Sequence, residues 1–150
     1  MSLPDPEPGL VIRYSYLWRR EQREGREEGA KDRPCAIVLV AEEEDGETLV
    51  VVLPITHRSP DSAAAALELP PAIKRRLGLD DERSWVVLTE SNQFGWPGPD
   101  LRRGEDGSVV YGSCRRGFSR KSSAAFSRSN RRRGRVRSLA LNSPVALGVL

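Results

Sequence analysis

Arg33 and Thr56 stand at the two open ends of one hairpin, and no other pair in the chain is so well placed to do chemistry. Arg33 enters the apolar run 35–41 through Pro34, and Thr56 closes the valine-rich run that begins at Thr48. Between the runs lies "EEEDGE", whose Asp45-Gly46 pair tolerates positive φ, so the runs read as antiparallel strands joined by a short turn. Their far ends then meet on one rim of a sheet. Pro34 biases the residue before it toward extended backbone, which sends the Arg33 guanidinium off the sheet in a defined direction. A planar guanidinium beside a hydroxyl suits a phosphate group. The same residues also fit a structural pattern, with Arg33 bonded to Glu27, Glu28 or Asp32 and Thr56 closing a turn.

Other catalytic cues are sparse. His57 is the sole histidine, which excludes metal sites built on several histidines within one chain. Its place next to Thr56 makes it a candidate for proton transfer, the chemistry to which free imidazole, with a reference pKa of about 6.5, is suited. No glycine-rich phosphate loop is present. Cys35 and Cys114 lack metal-ligand spacing, and Cys35 in its apolar run reads as a buried, reduced thiol. The acidic residues 42–45 read as a solvated turn. Neither a metal nor a cofactor is expected.

These residues need a scaffold, and the chain is written mostly in short β segments. Residues 10–18, "LVIRYSYLW", follow Pro8-Gly9 and read as a strand. The charged stretch 19–32 reads as a long exposed loop. Residues 66–69 add a short strand, and a helix opening at Pro71 ends at Gly78. Residues 84–89, "SWVVLT", form another strand, and "SVVYG" (108–112) a last one. The glycines and prolines of "NQFGWPGPDL" (92–101) argue against regular structure there, leaving Phe94 and Trp96 as aromatics for stacking on unpaired bases or for packing beneath their own loop. Five or six short strands with one or two small helices imply a mainly β fold, an antiparallel sheet curled toward a small barrel.

Charge divides the 150 residues sharply. Up to Gly112 there are 14 basic and 21 acidic residues, and from Ser113 onward ten basic residues and no acid. We therefore expect a barrel domain over 1–112 and a basic, serine-rich, irregular tail over 113–150. The longest apolar run, 36–41, is too short to cross a bilayer, and the first residues carry no secretory pattern, so a cytoplasmic protein is expected.

The order of motifs resembles the MazF/PemK family of bacterial toxin–antitoxin modules. Pro8-Gly9 stands before a first strand, an acidic-glycine loop follows, and Arg33-Pro34 opens the second strand. Ile55-Thr56 ends the third, and "KRRLGL" precedes "SWVVLTE"; the likeness runs from about Pro8 to Leu101. It implies an SH3-like barrel that dimerises, is inhibited by a cognate antitoxin, and cleaves single-stranded RNA without a metal. In that chemistry the ribose 2′-hydroxyl attacks the adjacent phosphate and leaves a 2′,3′-cyclic phosphate. The resemblance gives Arg33 and Thr56 the catalytic roles and Glu28 a supporting one. It also leaves open a non-catalytic barrel that binds nucleic acid or a protein such as gyrase. Two departures stand out: the loop has one glycine where the family commonly has two, and Asp32, directly before Arg33, is placed to compete for its charge.

The tail departs furthest from the family, which ends in an apolar-periodic helix. Read one nucleotide earlier, serines written TCN become apolar residues, and positions 118, 119, 122, 126 and 129 fall on one helical face. A frameshift near Gly112 is the expectation that follows.

Overall fold

A computed structural model describes residues 3–25, 32–114 and 116–132. Gly9 delivers the chain into β1 (Leu10–Ser15) with φ of +96°, a conformation that suits a residue without a side chain. A Cβ there would also lie 2.8 Å from Ser119 Oγ. The charged stretch after β1 is not all loop: Arg19–Arg23 form a short helix, α1.

β2 (Asp32–Glu42) and β3 (Thr48–Thr56) are the expected hairpin. Gly46 takes φ of +85°, its N–H donates to the Glu43 carbonyl, and Asp45 Oδ1 accepts from the Glu47 N–H, so the turn residues close the loop by themselves. Register runs from Glu42 opposite Thr48 to Cys35 opposite Pro54, with one irregularity between Ile37 and Leu39. β-branched residues dominate β3, and apolar residues of both strands are buried on both faces, as in a sheet covered from two sides.

The strands that follow wrap this hairpin. β4 (Ala66–Glu68) pairs with β5 (Trp85–Val87), and between them α2 (Pro71–Leu77) begins on proline and ends at Gly78 in the left-handed region. β6 (Asn92–Trp96) and β5 share one edge of β3, β6 along residues 48–52 and β5 at Ile55 and Thr56. Residues 92–96 are therefore a strand, contrary to expectation. Gly95 and Pro97 punctuate the segment, yet the Thr48–Val52 edge supplies a ladder that the local sequence does not advertise. β7 (Val110–Ser113) pairs with β1, and Tyr14 bridges to Leu101. The chain leaving β6 thus connects the outer edges of β3 and β1. The seven-stranded antiparallel sheet curls toward a small barrel, and the fold is mainly β.

One cluster, including Ile12, Tyr14, Tyr16, Cys35, Ile37, Val50 and Val52, takes in Phe94, Trp96 and Leu101. The other, around Val11, Val38, Val51, Leu53 and Ile55, packs against Ile73 and Leu77 of α2 and against Cys114, Phe118 and Phe126. The last two lie on α3 (Arg116–Arg132), a 17-residue helix where an irregular tail was expected. Its inward face spans 118, 122 and 126, one residue per turn, and the Ser123 hydroxyl donates to the Val38 carbonyl of β2. The core therefore extends past residue 112. Residues 133–150 lie outside the described residues. Both cysteines are free and buried, and among the described residues no helix is long and apolar enough to cross a membrane.

Candidate functional site

Carried two residues beyond Cys35 and Pro54, the β2–β3 register sets Arg33 opposite Thr56. Directly opposed residues share a face of the sheet. The hairpin thus brings together the two residues singled out by their position in the sequence.

Arg33 lies over Trp18, its guanidinium carbon 5.0 Å from the ring centroid. Trp18 is held in turn edge-on to Tyr16 at 5.2 Å. Stacking on an aromatic face fixes the plane of the guanidinium while leaving its N–H groups for a ligand. The Nε of Arg33 is buried with no hydrogen-bond partner, and among the described residues no carboxylate pairs with the side chain. A buried donor left unpaired costs about 1–3 kcal/mol. Asp32, expected to compete for this charge, has its Oδ1 3.5 Å from Arg102 Nε instead. Glu28 lies outside the described residues.

Thr56 Oγ1 accepts a hydrogen bond from the Arg58 N–H at 3.2 Å, which leaves the hydroxyl hydrogen free to donate. His57 follows, with both ring nitrogens engaged. Nδ1 lies 3.0 Å from the Arg83 carbonyl and 3.2 Å from Ser84 Oγ, and Nε2 lies 2.9 Å from Asp80 Oδ2 and 3.5 Å from Glu82 Oε2. The ring is anchored to the segment between α2 and β5. That segment is itself tied down by the buried Lys74, whose Nζ donates to Asp80 Oδ1 and to the Glu82 carbonyl. The Lys74 hydrogen bond, followed by the charges of His57 and Lys74, holds the Asp80 carboxyl below the usual range despite some desolvation.

Arg33 and Thr56 border two cavities. The first, about 480 Å³, adds Trp18, Arg20, Arg58 and Glu90. The second, about 490 Å³, adds Asp32, His57, Asp80 and Tyr111. The pair is thus shared by the linings of the two cavities. The first cavity is kept in shape by the start of α1: the Arg19 N–H donates to Glu90 Oε1 and its guanidinium to the Thr89 carbonyl. Asn92 clasps the backbone N–H and carbonyl of Leu17 just before it.

Phe94 and Trp96 are not at this site. Phe94 stacks on Tyr14 at 4.8 Å with the planes 18° apart, and Trp96 lies 6.2 Å from Phe94, both against the Tyr14 cluster. Neither lines the cavities that hold Arg33. Trp18 does so in the first cavity and Tyr111 in the second. Trp18, Arg20 and Arg58 carry no motif in the sequence: the first two flank Arg19 at the start of α1, Arg58 follows β3, and only their place in one cavity with Arg33 marks them.

Burial raises the Cys35 thiol well above the usual range and the Cys114 thiol to about 11, so neither is a nucleophile at neutral pH. A scan against protein-family models and a search of curated proteins both returned no match for this chain.

Proposed function

We propose that this protein is a metal-independent endoribonuclease of the MazF/PemK kind, a cytoplasmic toxin that cuts single-stranded RNA and is restrained by an antitoxin. The observation that carries this reading is Arg33: a guanidinium stacked on Trp18, with no carboxylate partner among the described residues, facing Thr56 in the shared lining of two cavities. Three arginines against two carboxylates, Asp61 and Glu90, line the first cavity. That balance suits a phosphate backbone.

In the reaction, a bond forms between the ribose 2′-oxygen and phosphorus while the bond from phosphorus to the 5′-oxygen breaks. The proton lost by the 2′-hydroxyl is balanced by the proton gained by the leaving oxygen. Arg33 holds the negative charge that builds on the phosphorane, and Thr56 donates a hydrogen bond to a non-bridging oxygen. Preorganised donors of this kind supply much of the catalysis without a strong base. The His57 nitrogens are already occupied, so its part is to hold the rim beside Thr56.

The test is incubation of the protein with single-stranded RNA in the presence of a chelator, with the products analysed by mass. Fragments ending in 2′,3′-cyclic phosphate support the reading. Saturable RNA binding with no product at any enzyme concentration moves the function to a non-catalytic binding barrel. The proposal includes a homodimer, and a monomer at micromolar concentration in light scattering counts against that part.

A further inference from the structure

Phosphate contacts position a nucleic acid but do not read its sequence; base edges do. The second cavity has the features of a base reader. Asp32 and Asp80 are its carboxylates, and Asp80 has both oxygens occupied, Oδ1 by Lys74 and Oδ2 by His57. Among the described residues Asp32 is held at 3.5 Å, from Oδ1 to Arg102 Nε, a separation too long for a good hydrogen bond. Asp32 thus lines the cavity with most of its acceptor capacity unspent on those residues. Pro34, Ile55 and Leu79 give apolar walls, and Tyr111 gives an aromatic one, its ring braced by the Arg13 guanidinium at 4.5 Å. A volume of about 490 Å³ is ample for a nucleobase.

A carboxylate with two acceptor oxygens discriminates among bases by simple donor counting. Guanine presents N1–H and N2–H side by side, matching both oxygens. Adenine and cytosine each offer an amino donor beside a ring-nitrogen acceptor, which a carboxylate repels. Uracil sets one N–H between two carbonyls. Recognition of splayed-out bases on their Watson–Crick edges, with an aromatic beside them, is the usual mode for single strands.

We propose that the second cavity is a guanine subsite, with Asp32 accepting from N1–H and N2–H and Tyr111 forming the wall beside the base. The inference rests on the RNA-binding reading of the groove. It adds that the nucleotide flanking the phosphate at Arg33 and Thr56 is a guanosine.

The probe is a set of fluorescein-labelled 2′-deoxy hexanucleotides of uracil in which one central base is varied. Lacking the attacking hydroxyl, they bind without being cut. Anisotropy titrations at one fixed salt concentration should give about tenfold tighter binding for the guanine hexamer than for the other three, the discrimination expected of one bidentate pair. In the isosteric variant Asp32→Asn that preference should fall to within about twofold. Four equal affinities in the wild type, a preference that survives Asp32→Asn, or no saturable binding each overturns the guanine site. Ribose hexamers tested in parallel separate the two readings. A guanine preference without cleavage removes the nuclease and leaves the subsite, whereas cleavage indifferent to the base removes the subsite and leaves the nuclease.

Discussion

Truncating Phe126 to alanine should release α3 from the sheet without unfolding the barrel. The helix is anchored chiefly by Phe118 and Phe126, 9% and 4% exposed. Two buried aromatic side chains contribute about 3–6 kcal/mol together. Against this stands Ser127, whose hydroxyl is buried without a partner, at a cost of about 1–3 kcal/mol. Five serines and Gly117 within Arg116–Arg132 lower the intrinsic helix propensity further. Docking therefore has only a few kcal/mol in hand, and a Phe→Ala change in a core removes about 3–5 kcal/mol. Hydrogen exchange of the Phe126→Ala variant should show protection lost across 118–130 and retained in β2 and β3. Unchanged protection in α3 would show that Phe126 does not hold the helix, and loss of protection in β2 and β3 together with α3 would show that the helix and the sheet open as one unit.

Other outcomes follow from the same structure. Ser127→Ala removes an unpaired buried hydroxyl and should stabilise the protein by about 1 kcal/mol, a rise of about 2–4 °C in the thermal midpoint. Asp80 has its folded pKa depressed below the ordinary 3.8, chiefly by the hydrogen bond from Lys74. Its contribution to stability is therefore complete above that value and is lost as pH falls through the folded pKa. Denaturant titrations from pH 6 down to pH 2 should show Asp80→Asn with a shallower acid loss than wild type, and parallel curves would contradict this. Gly9→Ala should destabilise, because an alanine at φ of +96° is strained and its Cβ would press on Ser119; an unchanged thermal midpoint would contradict that geometry.

The central pair was legible in part, because the Asp45-Gly46 turn brings the far ends of the two strands to one rim. The register at the turn, carried on unchanged, would set Arg33 opposite His57; the irregularity between Ile37 and Leu39 shifts it by one residue toward Thr56, and no residue in the sequence announces that shift. β6 was not legible. Its glycine and proline are genuine breakers, and the strand exists because the edge of β3 is there to receive it, a fact of tertiary structure. α3 was hidden for a different reason. Its buried face carries Ser122 and Ser123 beside Phe118 and Phe126, so the apolar periodicity that announces a packed helix is diluted to one residue in eight. The frameshift expectation took this tail as an irregular remnant, whereas in the frame as written residues 116–132 form a helix that buries Phe118 and Phe126, both already apolar. Trp18 and Asp32 changed meaning on folding. The first became the platform for Arg33, and the second turned to Arg102 rather than to its neighbour.

The Arg33 guanidinium is the group on which the proposed cleavage depends most. Single-turnover cleavage of a single-stranded RNA, with divalent metals chelated, measures its contribution when wild type is compared with Arg33→Ala. Loss of a preorganised charge at the phosphorane predicts a rate about a hundred- to a thousandfold lower, with the cyclic-phosphate product unchanged in kind. Equal rates for the two proteins would contradict the account.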